Sequence, residues 1–510
     1  MKIECRDVRK NYKKKEVLKG IDLVLEKGKI YGLIGRNGAG KTTLLSILSA
    51  QNPASFGNIL LDGREIWENA EALSHIYFAR EIITSSNSNA SGLKVKEYLK
   101  LAETYLPRWD KDMAQRLTEL FHLDRKQRIT KLSKGMVSML QIVVALASKA
   151  DFTFLDEPVS GLDVVAREAF YRLLLEEFTE TERTFVISTH IIEEAADIFE
   201  EVIFLHEGKI LLKENTQGPF GTQCVCQRQD RSRRQAYSGK ADILPGSSGK
   251  KQKCIGAVTG GRTAFRGRGR YPAGSQSPEN LCGPVRRGGT RMRKKKSWFY
   301  HAADNLCGMA LFLGILLVLI AVRREEFSWE SAKTVIHNYF SLPGIVLAGV
   351  LGAFNVILLY ESTEPLKISF GCTRKQVFRD MQAMKIATLF TAGILSFFLS
   401  GQERSRIFLK ELLFWGLLLL FLQSICECMS ILGMRYKGLM LVSILCISGI
   451  IGFVVAFMAM DFIKNGEIHM EWPISGVLEN WLLWAAVFLL GTILLVFFSW
   501  KFFRKAEVHI

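Results

Sequence analysis

"KIYGLIGRNGAGKTTLLSIL", residues 29–48, passes from an apolar run to a glycine-rich turn to a helix former. "IYGLI" (30–34) has the continuous apolar character of a strand buried on both faces in a parallel sheet. Gly35 to Thr42 then reads G-R-N-G-A-G-K-T, the pattern G-x-x-x-x-G-K-[ST]. Gly35, Asn37, Gly38 and Gly40 let the backbone wrap a phosphate and aim its N–H groups inward. The "TTLLSILSA" helix that follows adds the positive potential of its N-terminus. Lys41 is expected to reach the β and γ phosphates and Thr42 to offer its hydroxyl to magnesium, with Thr43 in the same nucleotide-binding set.

Four further stretches follow in a fixed order. "DFTFLDEP" (151–158) is a second apolar strand ending in two acids. Asp156 is placed to hold magnesium and Glu157 to polarise the water that attacks the γ phosphate, since phosphoryl transfer needs positioning and charge neutralisation above all. "KLSKGM" (131–136) precedes this strand; "SGLD" (160–163) and "FVISTH" (185–190) follow it.

The order GRNGAGKT, LSKGM, FLDEP, SGLD, STH resembles the nucleotide-binding domain of ATP-binding cassette (ABC) transporters and covers residues 1–218. The resemblance implies an α/β P-loop NTPase with ATP and Mg2+ as cofactors. It makes Tyr12 the aromatic residue that stacks on adenine. It makes Ser133 and Gly135 the signature residues that cap the γ phosphate held by a partner subunit. Asp163 becomes the loop acid at the dimer seam, and His190 the switch histidine that contacts the γ phosphate. Two ATP molecules would lie between two such domains, so the working unit is a homodimer or a pairing with a second ABC half-transporter.

Two departures stand out. Lys134 and Met136 replace a Gly and the Gln of the usual LSGGQ signature. In "IYFAREI" (76–82) Arg80 or Glu81 occupies the place of a magnesium- and water-binding Gln; Glu81 can coordinate the metal and Arg80 cannot. Helical periodicity in 94–106 and 113–123 predicts a helical subdomain over about 85–150.

The totals hide two compositions. The chain has 510 residues, a hydrophobic fraction of 48% and a formal charge of +17. Residues 219–296 hold 19 Lys and Arg against 3 Asp and Glu, so the basic excess belongs to one stretch. The N-terminus has no apolar core, so no signal peptide is expected there. The ten cysteines lack zinc-ligand spacing and are expected to be reduced.

A bilayer core of about 30 Å needs about 20 apolar residues as helix. Six segments are predicted to span: 306–322, 339–360, 383–400, 411–432, 439–460 and 481–503. The fold expected is thus the α/β P-loop NTPase domain followed by an all-α six-helix transmembrane domain over 292–510. The side with "RKKK" (293–296), the 361–382 loop, "MRYKG" (434–438) and "KFFRK" (501–505) carries about twice the Lys and Arg of the other. That places the ATPase domain and both termini in the cytosol of a multi-pass protein of the cytoplasmic membrane. Six spans beside a cassette resemble the type-2 ABC export permeases, and "SFGCTRK" (369–375) resembles their cytosolic coupling region; a plain basic loop held to anionic headgroups is the alternative. Within the fourth span Glu427, with Gln423 one turn away, is either a polar patch on a substrate path or seam, or a glutamate satisfied within the bundle.

Residues 219–291, including "GRGRYPAGSQSPENLCGPVRRGGTR" (267–291), carry no apolar period and read as a disordered junction. Three origins compete: a flexible tether, an Arg-Gly nucleic-acid tail, or out-of-frame readthrough joining an ATPase gene to its permease gene, with Met292 as the original start. The tail reading lacks interleaved aromatics, so no nucleic-acid partner is expected. The other two frames of the nucleotide sequence decide the readthrough idea. The function this implies is ATP-driven export of a small-molecule, lipid or peptide substrate across the lipid bilayer. The alternative is a membrane-bound ABC ATPase with a sensing or resistance-signalling role and no cargo.

Overall fold

The computed structural model describes residues 1–13, 15–80, 82, 92–190, 198–216, 349, 352–353, 356, 359–360, 364–399, 406–435 and 480–507. The described residues belong to one compact unit. The junction 219–291, Glu81, and the predicted spans 306–322 and 439–460 lie outside them.

Two sheets build the cassette. β1 (Lys2–Tyr12) pairs antiparallel with β2 (Lys15–Glu26) on one side. The second sheet begins with β3 (Ile30–Ile34), which runs into α1 (Lys41–Leu48). β4 (Phe56–Leu61) pairs with the other side of β1, and β5 (Arg64–Glu65) closes that four-stranded layer. After α2 (Ala70–Leu73) come β6 (Ile76–Ala79), then α3 (Val95–Tyr105), α4 (Lys111–Leu120) and α5 (Lys134–Ala147). β7 (Phe152–Asp156), α6 (Val164–Thr181), β8 (Thr184–Thr189), β9 (Glu201–His206) and β10 (Lys209–Asn215) complete the domain.

The six-stranded sheet has the order β10-β9-β3-β8-β7-β6, parallel except for the edge strand β10. β3, β6, β7 and β8 are buried along their whole length, which accounts for their unbroken apolar sequence. β1 and β2 bury alternate residues: Ile3, Val8, Leu18 and Ile21 pack with Leu44, Leu45 and Leu48 of α1 and with Phe152 and Phe154 of β7. The topology sets the carboxyl ends of β3, β8 and β7 side by side, where open α/β sheets bind their ligands.

Three long helices follow the cassette among the described residues: α7 (Arg374–Leu399), α8 (Arg406–Arg435) and α9 (Trp481–Phe503), with a helical stretch at 364–369 ahead of α7. Among the described residues two helices are long and apolar enough to cross a membrane, Leu412–Met434 and Trp481–Phe503. They overlap the predicted spans 411–432 and 481–503. The helix that holds the predicted span 383–400 starts nine residues before it, at Arg374, within the stretch read as the 361–382 loop. Hydropathy sees only the apolar stretch, whereas the helix is opened by Thr373, whose Oγ1 accepts from the Gln376 amide at 3.1 Å. Of 339–360 only six positions are described, all helical. The described cysteines Cys5, Cys372, Cys426 and Cys428 are free thiols, and burial pushes Cys5 up to about 12.

At the start of β7, Asp151 accepts from Lys27 Nζ at 2.6 Å, lies 2.6 Å from His75 Nδ1 and pairs with Arg108. Burial alone would raise its carboxyl, but these partners hold it well below the usual carboxylate range. A carboxylate depressed in the folded state contributes stability above its unfolded value, about 3.9, and loses that contribution as pH falls through the folded value. Asp151→Asn is therefore expected to cost about 2 kcal/mol at pH 7. The gap to the wild type should narrow as the pH of thermal-melt measurements is taken below about 4.

Candidate functional site

The P-loop backbone fixes the first part of the site. Gly40 has φ 107°, and a Cβ on Gly35 would stand 2.5 Å from the Leu205 carbonyl oxygen, so neither position accepts a side chain without distortion. Lys41 is buried; its Nζ donates to the Gly35 carbonyl at 2.8 Å and lies 3.3 Å from Glu157 Oε1. Thr42 Oγ1 donates to Asp156 Oδ2 at 2.7 Å.

The ends of β7 and β8 supply the rest. Ser188 Oγ donates to Asp156 Oδ1 at 2.6 Å. The Glu157 amide is held by the Ser188 carbonyl at 3.2 Å and hydroxyl at 3.0 Å. That grip keeps Glu157 in the left-handed region, φ 45°, where non-glycine residues are uncommon. Its carboxylate faces His190 Nδ1 at 3.2 Å. Lys41, Thr42, Asp156, Glu157 and His190 are thus one connected cluster, as their motifs predict. Ser188 lies in "STH", a motif that points to its histidine alone, yet the serine hydroxyl ties both acids in place.

Tyr12 sits beside this cluster, close to Thr43, with burial and Glu507 raising its phenol. Arg80 is largely buried near Asp156 and Tyr12; burial holds its guanidinium below its ordinary value, against the pull of Asp156. Its carbonyl accepts from Gln141 Nε2. The signature loop lies apart. Ser133 caps α5 by accepting from the Met136 amide at 3.2 Å, and Asp163 caps α6 by accepting from Ala166 at 2.8 Å. A Cβ on Gly135 would come 2.7 Å from the Gly161 carbonyl oxygen, so the signature and "SGLD" loops pack as a unit. Among the described residues no hydrogen bond or ion pair joins Ser133, Gly135 or Asp163 to Lys41, Thr42, Asp156 or Glu157.

The segment 364–376 meets the cassette at the other end of α1. Arg374, 2% exposed, donates from Nη1 to the Ala50 carbonyl at 3.1 Å and from Nη2 to Gln51 at 2.6 Å and to Ala506 at 2.9 Å. Its guanidinium lies 4.5 Å from the Trp67 ring centroid. Glu68 accepts from the Arg374 and Lys375 amides at 3.0 and 2.9 Å, a carboxylate on a helix N-terminus. Phe370 packs against Tyr98 at 5.5 Å, and Gly371 turns with φ 83° where a Cβ would be 3.2 Å from the Leu73 carbonyl oxygen. Lys367, 3% exposed, pairs with Glu364 at 2.6 Å. Two of this segment's basic side chains therefore face protein, so the headgroup-bound loop does not describe them.

Glu427 is satisfied within the bundle. It accepts from the Tyr360 hydroxyl at 2.7 Å, from Gln382 Nε2 at 2.7 and 2.9 Å, and from Lys385 Nζ at 2.6 Å.

Residues 18–160 match the family model for ABC transporters. The ABC transporter ATP-binding protein YtrB of Bacillus subtilis (strain 168) is 29% identical over 208 residues, 41% of this chain and 70% of that protein. The lantibiotic transport ATP-binding protein SrtF of Streptococcus pyogenes is 29% identical over 218 residues, 42% of this chain and 92% of that protein. The manganese transport system ATP-binding protein MntB of Bacillus subtilis (strain 168) is 30% identical over 212 residues, 41% of this chain and 84% of that protein.

Because Ser188 serves a buried carboxylate and the Glu157 amide together, Ser188→Ala is expected to destabilise the chain by about 1–3 kcal/mol. Thermal unfolding of the purified protein measures this; an unchanged melting temperature would mean the hydroxyl is dispensable.

Proposed function

This chain belongs to the ABC transporter family of ATP-binding proteins, and we propose that within it the molecule works as an exporter, with cassette and permease on one chain. It is an ATPase coupled to transport. The observation that carries the export-machine reading is Arg374: a residue of the membrane-side segment ends inside the cassette, on the carbonyls that follow α1.

In this reading Lys41 and the P-loop amides hold the phosphates, Glu157 orients the attacking water, and His190 senses the γ phosphate from beside Glu157. Tyr12 carries the adenine. Thr42 and Asp156 fit a magnesium ion, because a hydroxyl and a carboxylate oxygen already converge there at 2.7 Å. Magnesium bound with the nucleotide would neutralise phosphate charge. Ser133 and Gly135, unattached to their own chain's phosphate cluster, serve the ATP of a second copy or of another ABC half-transporter. Cleavage of the γ phosphate removes the bridge between the two cassettes, and the segment at 364–376 carries that separation into the membrane helices. The permease is of the type-2 kind, multi-pass, with both termini cytosolic. Relatives named for cargoes as different as a lantibiotic and manganese indicate that the cassette alone does not choose the cargo; a peptide is the first class to assay, with lipids and drugs beside it.

Glu157→Gln is expected to keep ATP binding and lower turnover about 100-fold or more; unimpaired hydrolysis would remove Glu157 from its role. Arg374→Ala is expected to leave basal ATPase activity within about twofold while abolishing ATP-dependent cargo accumulation in inverted vesicles, since the segment loses its anchoring donors. Transport at the wild-type rate in that variant would refute the route through Arg374. Hydrolysis without accumulation of any cargo in the wild type would favour a sensing role.

A further inference from the structure

The C-terminal end of α9 meets the cassette at a second point, beside Tyr12. Lys10 lies two residues before Tyr12 on β1 and is 3% exposed. Its ammonium donates to the Pro53 carbonyl at 2.9 Å and to Glu507 Oε1 at 2.8 Å, and stands 4.8 Å from the Tyr12 ring centroid. Glu507 is 497 residues away in sequence. The tail that carries it is itself tied down, because the Ala506 carbonyl accepts from Arg374 Nη2 at 2.9 Å. Tyr12 also lies close to Thr43, in the first turn of the phosphate-binding helix α1.

A buried ammonium needs donors' partners on most sides. Here it has a carbonyl, a carboxylate and an aromatic face. Removing the carboxylate leaves the charge poorly compensated, and a flexible lysine stem then swings its head toward water. Lys10 would leave the ring it supports, and Tyr12 would lose the contact that fixes its plane.

We propose that Glu507 is a positioning residue for ATP: by clamping Lys10 against Tyr12 it sets the aromatic platform for the adenine, so the membrane-side C-terminus tunes nucleotide affinity. The proposal rests on the reading of Tyr12 as that platform. Linkage makes the effect reciprocal: a shift of the end of α9 that weakens ATP binding is opposed, by the same factor, when ATP binds. The link differs from the Arg374 contact in acting on the base rather than on the docked segment.

The test is steady-state ATPase kinetics of the full-length protein in detergent, with inorganic tripolyphosphate as a competitor that has phosphates and no base. Glu507→Ala and Lys10→Met are expected to raise KM for ATP about fivefold, the scale of one cation–π contact. They should leave kcat and the inhibition constant of tripolyphosphate unchanged, and Glu507→Asp should restore KM. Tyr12→Ala should raise KM at least as far. If Tyr12→Ala raises KM while Glu507→Ala does not, the tail has no such role although the platform stands. If Tyr12→Ala leaves KM unchanged, the platform reading fails and the proposal with it. Parallel weakening of tripolyphosphate inhibition in Glu507→Ala would also overturn it, because the damage would then lie in the phosphate site or the fold.

Discussion

The arrangement depends on what is fastened to the two ends of one short helix. α1 begins at Lys41, where the P-loop amides and the helix N-terminus offer positive potential to phosphate. It ends at Leu48, and the carbonyls of Ala50 and Gln51 just beyond it accept from the guanidinium of Arg374. An eight-residue helix is about 12 Å long. A rod of that length, packed by Leu44, Leu45 and Leu48 into the core between two sheets, has little freedom to absorb a displacement at one end without moving the other.

The chemistry of Arg374 explains why the contact is demanding. Its neighbours are mainly backbone carbonyls and an indole face rather than a paired carboxylate, and Glu68 is occupied with the amides that open α7. Burial pulls the guanidinium down to about 10, yet it stays charged at neutral pH. A planar fork that reaches three carbonyls at once is a task lysine cannot reproduce with a single ammonium. The contact is therefore specific in geometry as well as in charge. The Ala506 carbonyl joins the same guanidinium, so the end of α9 and the start of α7 are held on one cassette residue pair.

The cassette's plan was legible in its sequence because each motif is local. The turn at Gly35, the acids at the end of "FTFLDE" and the histidine of "STH" each follow a strand's carboxyl end, and a parallel sheet assembles them without further instruction. What escaped reading were partners brought together across the chain. Nothing near Lys10 announces Glu507, and nothing near Ala50 announces Arg374, since hydropathy and spacing report a residue's own neighbourhood only. Ser188 could have been found: a hydroxyl between an apolar strand and the switch histidine has two acids one strand away. The start of α7 was missed because a polar capping residue, Thr373, and a carboxylate from another domain open it rather than any apolar period. Glu427 announced itself as a costly group in lipid, and its partners Lys385, Gln382 and Tyr360 come from other segments of the bundle.

On this coupling, the state of the γ phosphate is felt at residues 364–376 through α1 and Arg374. Hydrogen exchange of the full-length protein tests it at the Arg374 and Lys375 amides, which donate to Glu68. Their exchange is expected to change when ATP is added to a hydrolysis-blocked chain and to return with ADP to the rate measured without nucleotide. Exchange at these amides that is the same with ATP, with ADP and with neither would contradict it.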